Sequence, residues 1–116
     1  EPQVVIAECY RVLRKGGLFA ACAPSRYDDP ELAPFLPDKP PRTFAAESGM
    51  EMVSEPYRDV SVDAWDMPYY LLPDKAAVEL YVYGRQYPRD VARRVADQVE
   101  LPLTLTARGS LIYGHK

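Results

Sequence analysis

The glycine pair at positions 16 and 17 divides the start of the chain into a helical segment and an extended one. Apolar residues recur at helical spacing upstream of the pair, which predicts a helix over 2–15 with that face buried. They are Val5, Cys9, Val12 and Leu13. Gly16 can adopt the left-handed conformation that ends a helix, and Gly17 permits a tight reversal. The uninterrupted apolar run 18–23 then predicts a strand buried on both faces, as in a parallel sheet covered by helices.

The middle of the chain predicts a loop, a helix and a second strand. Residues 25–42 are rich in proline and predict a long loop over the sheet. A helix is predicted over 43–55. Its expected core contacts are Phe44, Met50 and Val53. Residues 59–67 alternate in polarity, which predicts a strand with Val60 on one face and Trp65 on the other.

The last third of the chain carries two helical patterns and a final strand. Helices are predicted over 74–83 and 88–99, which together form a small helical insertion at about 73–100. The C-terminal residues 103–116 alternate in polarity around Gly109, which predicts a turn at Gly109 and an edge or antiparallel closing strand. No internal repeat is visible, and a length of 116 residues is enough for one domain with a modest core.

Composition argues against several classes of protein. The net charge is -3, and the Lys and Arg residues are scattered among carboxylates, which argues against nucleic-acid binding. No apolar run approaches the roughly 20 residues that span a bilayer, so no membrane partner is expected. Cys9 and Cys22 have apolar neighbours and no supporting histidine cluster, which predicts buried free thiols, no zinc site and a reducing, cytoplasmic compartment.

Two parts of the sequence carry a resemblance to a known family. The pattern E-x-x-R-V-L-x-x-G-G over residues 8–17, followed by an apolar strand, is similar to a helix and strand in class I S-adenosylmethionine-dependent methyltransferases. The segments 65–84 (WDMPYYLLPDKAAVELYVYG) and 102–116 (PLTLTARGSLIYGHK) resemble the C-terminal part of methyltransferases of the type-11 kind. The resemblance covers nearly the whole chain, but only about the last half of a family member.

This resemblance implies an α/β fold, the C-terminal half of a Rossmann-like sheet whose last strand runs antiparallel between its two neighbours. It also implies S-adenosylmethionine as cofactor, held mainly by a Gly-rich turn and an acidic residue in the first half of the family fold. Neither feature occurs here, and no two of the six glycines have G-x-G spacing. We therefore expect no cofactor-binding residues in this chain, which starts at Glu1 with no methionine and reads as a piece of a longer protein.

The substrate site is predicted at the carboxyl end of the first strand, because ligands bind at that edge of open α/β sheets. Ser25, Arg26 and Tyr27 leave this end and are candidate substrate-binding residues, with Arg26 suited to an anionic group. The alternative for all three is the solvated start of a loop. Trp65 is a fourth candidate, for stacking on an aromatic substrate, and ordinary core or interface packing is its alternative.

No residue is assigned a catalytic or metal-binding role. Glu8 and Arg11 lie three apart on one helical face, where a simple ion pair is the favoured interpretation. His115 lies next to the end of the chain without a positioned partner. Methyl transfer mainly needs alignment of the reactants and exclusion of water, so this class of enzyme requires few acid–base residues.

Two functional hypotheses follow. The first is the C-terminal portion of a cytoplasmic methyltransferase that acts on a small-molecule acceptor and is inactive without its N-terminal half. The second is a non-catalytic α/β interaction module, or accessory subunit, that pairs an exposed strand with a partner chain. In either case the strand at 18–23 is expected to have an unpaired apolar edge, which favours edge-to-edge dimerisation or aggregation.

Overall fold

The computed structural model describes residues 1–116, which form four α-helices and three β-strands. In chain order these are α1 (Pro2–Val12), β1 (Leu18–Pro24), α2 (Ala46–Ser54), β2 (Arg58–Leu72), α3 (Lys75–Gly84), α4 (Arg89–Gln98) and β3 (Leu103–His115). A short 3-10 helix, Ala33–Phe35, interrupts the loop after β1. The mixed α/β class and the order of helices and strands are as predicted. None of the helices has the length and apolar character needed to cross a membrane.

The three strands form one open antiparallel sheet in the order β1-β3-β2. β3 runs antiparallel to β1, with Leu18 opposite His115 and Pro24 opposite Gly109. The antiparallel last strand lies between its two neighbours, as the resemblance implies, and β1 lies at the edge, as expected for residues 18–23. The prediction that β1 is buried on both faces, as in a parallel sheet covered by helices, is wrong, since its side chains alternate between exposed and more buried positions. An uninterrupted apolar run does not distinguish these cases.

The turn between α1 and β1 uses both glycines as predicted. Gly16 has a φ of +77°, in the left-handed region that glycine adopts at no steric cost. A Cβ on Gly17 would lie 2.6 Å from Cγ of Leu13 and 2.8 Å from the carbonyl oxygen of Arg14, so only glycine fits there. The helix ends earlier than predicted, at Val12, because Leu13 is already extended.

The buried face of α1 differs from the predicted one. Ile6 is the buried residue of the helix, and Tyr10 and Leu13 pack against the same core. Val5 and Val12 are exposed. Helical spacing alone permits either face of α1 to be buried, since each face carries apolar residues four apart. The buried face is the one that carries the larger Tyr10.

Two compact units divide the chain, and each has its own core. The first unit consists of residues 1–28, 40–66 and 108–116. Its core residues are Ile6, Ala23, Val53, Tyr57 and Ile112. Phe44 and Val53 pack in this core as predicted, whereas Met50 is exposed, and Gly49 takes the buried position of α2 against the side chain of Ile112.

The second unit consists of residues 29–39 and 67–107. Its largest fully buried side chains are Leu32, Val78, Val82, Val95 and Leu105. The helices α3 and α4 pack against each other, and their bounds lie within one residue of those predicted. Asp74 caps α3, since its carboxylate accepts a hydrogen bond of 2.9 Å from the N–H of Ala77.

The last two strands are longer than the sequence predicts. β2 continues to Leu72 through Pro68, which an edge strand tolerates because the missing N–H can face away from the ladder. β3 passes through Gly109 without a turn, so the predicted turn is wrong. Of the two placements left open for this strand, the antiparallel closing strand is the observed one, at the centre of the sheet. Gly109 is needed for close packing instead: the ring of Trp65 occupies the space in which a side chain would lie.

Candidate functional site

The candidate site is the turn that follows β1, together with the side chains that hold it, and we call it the β1-end cluster. All its members belong to the first unit. They are Ser25, Arg26, Tyr27, Asp28, Glu47, Trp65, Asp66 and Arg108. The turn leaves the carboxyl end of β1 where Pro24 lies opposite Gly109 of β3, so the central strand is within reach of the turn.

Glu47, in the first turn of α2, binds the start of this turn at two points. Ser25 is 6% exposed, and its hydroxyl donates a hydrogen bond to Oε1 of Glu47. The backbone N–H of Arg26 donates to Oε2 of Glu47 at 3.2 Å, and that of Tyr27 donates to the Ser25 hydroxyl at 3.0 Å. The hydrogen bond from Ser25 lowers the pKa of Glu47 below its ordinary value. The Ser25 hydroxyl is thus fully engaged in holding the turn.

Arg108, on β3, fixes the other side of the turn. Its backbone N–H donates to Oδ1 of Asp28 at 2.8 Å, and its carbonyl accepts from the N–H of Ser25 at 2.9 Å. Its guanidinium donates to Oδ1 of Asp66 at 3.0 Å and to the carbonyl of Tyr27 at 3.3 Å. Arg108 of β3 therefore joins the turn after β1 to Asp66 of β2.

Arg26 and Tyr27 are the members of the cluster that present their side chains to solvent. Tyr27 is 66% exposed, and the Arg26 side chain is also exposed and forms no hydrogen bond of its own. Their backbone N–H groups are tied to Glu47 and Ser25, so the direction of both side chains is restricted. The turn therefore exposes one cation, whose charge also lowers the pKa of Glu47, and one aromatic ring. These groups can bind an anionic and a planar ligand group, respectively.

Trp65 is placed on β2 at the level of the turn. Its ring is partly buried and covers Gly109, so Cζ2 would lie 2.6 Å from an added Cβ. Gly109 is in turn the register partner of Pro24, the residue before Ser25. The structure thus places all four candidate residues around one end of β1, with Ser25 and Trp65 in packing positions and Arg26 and Tyr27 exposed.

Sequence reasoning did not identify Glu47 and Arg108 as members of the cluster. Glu47 has a weak signal, since an acidic residue in the first turn of a helix stands near the end of the preceding strand in an α/β unit. Arg108 has no sequence signal, because it is brought to Asp28 and Asp66 by strand register. These partners lie 80 and 42 positions away in the sequence.

A second polar cluster lies within the second unit, and its hydrogen bonds hold two parts of that unit together. The Tyr81 hydroxyl donates a hydrogen bond of 2.7 Å to Oδ2 of Asp29 and accepts one from Arg85. Arg85 also lies 3.2 Å from the same Asp29 oxygen. Burial, followed by the hydrogen bond to Asp29, raises the pKa of Tyr81. These bonds join the loop after β1 to α3.

The structure also describes the other side chains considered from the sequence, namely the Glu8–Arg11 pair, possible metal ligands and the two cysteines. Glu8 and Arg11 form an exposed ion pair at 2.6 Å on α1, which is the interpretation favoured from their spacing. No group of three His, Cys, Asp or Glu side chains is arranged to hold a metal ion. Both cysteines are free thiols, but Cys22 is exposed and Cys9 partly so, which contradicts the prediction of buried thiols. An exposed strand face places Cys22 outward.

No protein-family model and no curated protein matches this chain. The β1-end cluster therefore rests on its own geometry.

Proposed function

We propose that this chain is the C-terminal portion of an S-adenosylmethionine-dependent methyltransferase, and that the β1-end cluster lines part of its pocket for a small-molecule acceptor. The observation that carries the proposal is the strand order β1-β3-β2 with an antiparallel last strand in the middle. The resemblance of the sequence to this family implies that same arrangement for its final three strands. An α/β sheet places ligands at the carboxyl ends of its strands, where the cluster lies.

Within this proposal the cluster residues divide into two roles. Arg26 and Tyr27 contact the acceptor, Arg26 through an anionic group and Tyr27 through its ring. Ser25, with Glu47 and Arg108, positions the turn that carries them, because all three form hydrogen bonds to its backbone or to each other. Trp65 packs against Gly109 and supports the wall of the pocket.

The residues of this chain do not fit S-adenosylmethionine. Its two adjacent glycines precede β1 instead of following a strand, and the space beside Gly17 is filled by Leu13 and Arg14. The cofactor, which supplies the methyl group when bound, is thus assigned to a separate segment or chain. The residues described here act on the acceptor by binding it, orienting it and excluding water.

The proposal is tested by the reading frame upstream of Glu1 and by calorimetry. A Gly-rich strand-to-helix turn about half a domain upstream is expected, and the protein extended to include it should bind S-adenosylmethionine whereas residues 1–116 should not. Micromolar binding by residues 1–116 alone would contradict the assignment of the cofactor site. A start codon directly before Glu1 would contradict the methyltransferase proposal.

The role of the exposed pair is tested in the extended protein. Arg26→Ala is expected to raise KM for an anionic acceptor by about tenfold, equivalent to one charge-assisted hydrogen bond, and to leave cofactor affinity unchanged. Arg93→Ala, on the exposed side of α4, is the matched control. An equal loss of cofactor affinity in Arg26→Ala would place Arg26 outside the acceptor pocket.

A second candidate function is a non-catalytic interaction module. The observation that favours it is the uncharged edge of β1, whose residues Leu18–Pro24 carry no ionisable side chain except the thiol of Cys22. Such an edge can accept a strand from a partner chain.

A further inference from the structure

Residues 37–44, which we call the connecting segment, have no regular secondary structure and form no bond between backbone groups. The last backbone hydrogen bond before the segment is donated by Leu36, and the first one after it is accepted by Ala45. Every residue from 37 to 43 is exposed. The backbone of the connecting segment therefore has all its hydrogen-bonding groups available to another molecule.

Both ends of the connecting segment are anchored. Before it, Leu36 packs against the core of the second unit, and the Nζ of Lys39 donates a hydrogen bond of 2.6 Å to the carbonyl of Arg85 in the same unit. After it, Phe44 packs against the core of the first unit, and Ala45 is fully buried. The backbone between these anchors can be bound without unfolding either unit.

A segment of this kind has the form that proteases bind. A peptide bound in extended form is held by hydrogen bonds along its backbone, so a substrate that already uses those groups must first unfold. Exposed loops without such bonds are the preferred sites of nicking. The guanidinium of Arg42 is exposed and forms no ion pair or hydrogen bond, which suits the acidic specificity pocket of a protease that cleaves after arginine.

The bond between Arg42 and Thr43 differs from the other bonds that follow a basic residue. The chain contains 14 Lys and Arg residues, so many sites compete. Lys39 is followed by a proline, whose ring replaces the N–H and restricts the backbone. The other internal ones lie in helices or strands, or beside hydrogen-bonded backbone groups, as at Arg14, Lys15, Arg26 and Arg85.

We propose that the bond between Arg42 and Thr43 is a processing site for an arginine-specific serine protease, and that cleavage gives a stable two-chain form of this protein. The reaction adds one water molecule across the peptide bond. The carbonyl carbon of Arg42 gains the hydroxyl group and the nitrogen of Thr43 gains the hydrogen. The acid proton then moves to the amine, which leaves a carboxylate on Arg42 and an ammonium group on Thr43.

The two products, 1–42 and 43–116, stay together because each unit contains parts of both. In the first unit β1 pairs with β3 over seven register positions. In the second unit Leu32 is buried in the core with side chains of α3 and α4. Glu31 also accepts a hydrogen bond of 3.0 Å from the backbone N–H of Thr106. Cleavage therefore breaks the chain between two cores and leaves the contacts within each core in place.

This inference goes beyond the methyltransferase proposal and does not depend on it. The connecting segment is internal, and the anchors on both of its sides belong to the described residues 1–116. Digestion tests the connecting segment, whereas binding of S-adenosylmethionine by the extended protein tests the function. Either result can fail without the other.

Limited digestion with trypsin, followed by mass spectrometry, tests the site. The first products expected are 1–42 and 43–116, which should elute together from a size-exclusion column. Arg42→Gln should slow the first cut by about tenfold or more, because the competing bonds are cleaved only after local opening. Arg94→Gln, which removes another exposed arginine on α4, is the matched control and should leave the rate unchanged.

Thr43→Pro tests the same bond with the arginine kept in place. The proline follows the cleaved carbonyl, as it does after Lys39, and should slow the first cut as much as Arg42→Gln does. Circular dichroism confirms that all three variants are folded.

Three outcomes would overturn the inference. The first is an initial cut after another Lys or Arg, or an unchanged rate of the first cut in folded Arg42→Gln. The second is separation or unfolding of the two products, which would make the cut a step of degradation. The third is protection of this bond in the protein extended upstream of Glu1, under conditions that cleave residues 1–116.

Discussion

The ring of Trp65 on β2 lies across Gly109 on β3, so close that a Cβ at position 109 would come within 2.6 Å of Cζ2 and 2.9 Å of the carbonyl oxygen of Ala23. Gly109 is also the register partner of Pro24, the last residue of β1. All three strands therefore meet at one glycine, directly before the turn that carries Arg26 and Tyr27. The shape of the candidate site depends on this close approach.

Gly109→Ala is expected to destabilise the protein by about 1–3 kcal/mol, because the added methyl group must displace either the Trp65 ring or the backbone of β1. Urea denaturation, with Trp65 fluorescence as the probe, measures the change. The matched control is Gly84→Ala at the end of α3, where an added Cβ has nothing within 4 Å. That variant should be neutral or slightly stabilised, since alanine favours the helix. Equal effects of the two substitutions would contradict the close-packing account.

Acid should weaken the contact between Ser25 and Glu47. The pKa of Glu47 is lower in the folded chain than in the unfolded one, so its contribution to stability is present above the ordinary glutamate value of about 4.3 and is lost as the pH falls through the folded value. Wild type should therefore lose stability relative to Glu47→Gln between about pH 5 and 3. Urea denaturation across this pH range measures the gap, that is, the difference in free energy of unfolding between wild type and Glu47→Gln.

Glu51→Gln, on the same helix and equally exposed, is the control for this titration. It should follow the pH dependence of wild type. A gap between wild type and Glu47→Gln that stays constant with pH would show that the carboxylate charge does not contribute to the turn.

Sequence periodicity predicted the helices, the strands and the first turn of this fold. It did not predict contacts between residues that are far apart in the sequence. The turn at Gly16 follows from a left-handed conformation that glycine supplies, and α3 and α4 follow from valine spacing, so both depend on neighbours in sequence. The edge position of β1 and the central position of β3 depend on pairing, which an apolar run does not encode, so only the resemblance to a known sheet implied them. Gly109 looked like a turn because its close neighbour, Trp65, is 44 positions away.

The candidate site shows the same limit. Arg26 and Tyr27 could be proposed because a strand end is visible in the sequence. Their supports, Glu47 and Arg108, are brought to the turn by a helix start and by strand register. Neither contact leaves a local pattern of residues.

Arg108→Ala should loosen the turn after β1 more than it lowers global stability. The guanidinium links Asp66 to the carbonyl of Tyr27, so its loss frees that side of the turn while the backbone bonds of position 108 remain. Hydrogen exchange read by mass spectrometry should be faster by about fivefold to tenfold in residues 25–28, equivalent to about 1 kcal/mol of local opening. The control Arg93→Ala removes an exposed pair with Glu79 and should leave these amides unchanged. Unaltered exchange in Arg108→Ala would remove Arg108 from the positioning role.

Alkaline pH should weaken the contribution of Tyr81 to stability. Burial and the hydrogen bond to Asp29 raise the pKa of Tyr81 in the folded chain. Its contribution to stability is therefore fully present below the ordinary tyrosine value of about 10 and is lost as the pH rises toward the folded value. Tyr81→Phe should cost about 1–2 kcal/mol at pH 7, because Asp29 loses a buried donor, and this cost should shrink above pH 10. Tyr83→Phe, 44% exposed on the same helix, should cost less than 0.5 kcal/mol. A cost for Tyr81→Phe that grew with pH would contradict the assigned direction of the pKa.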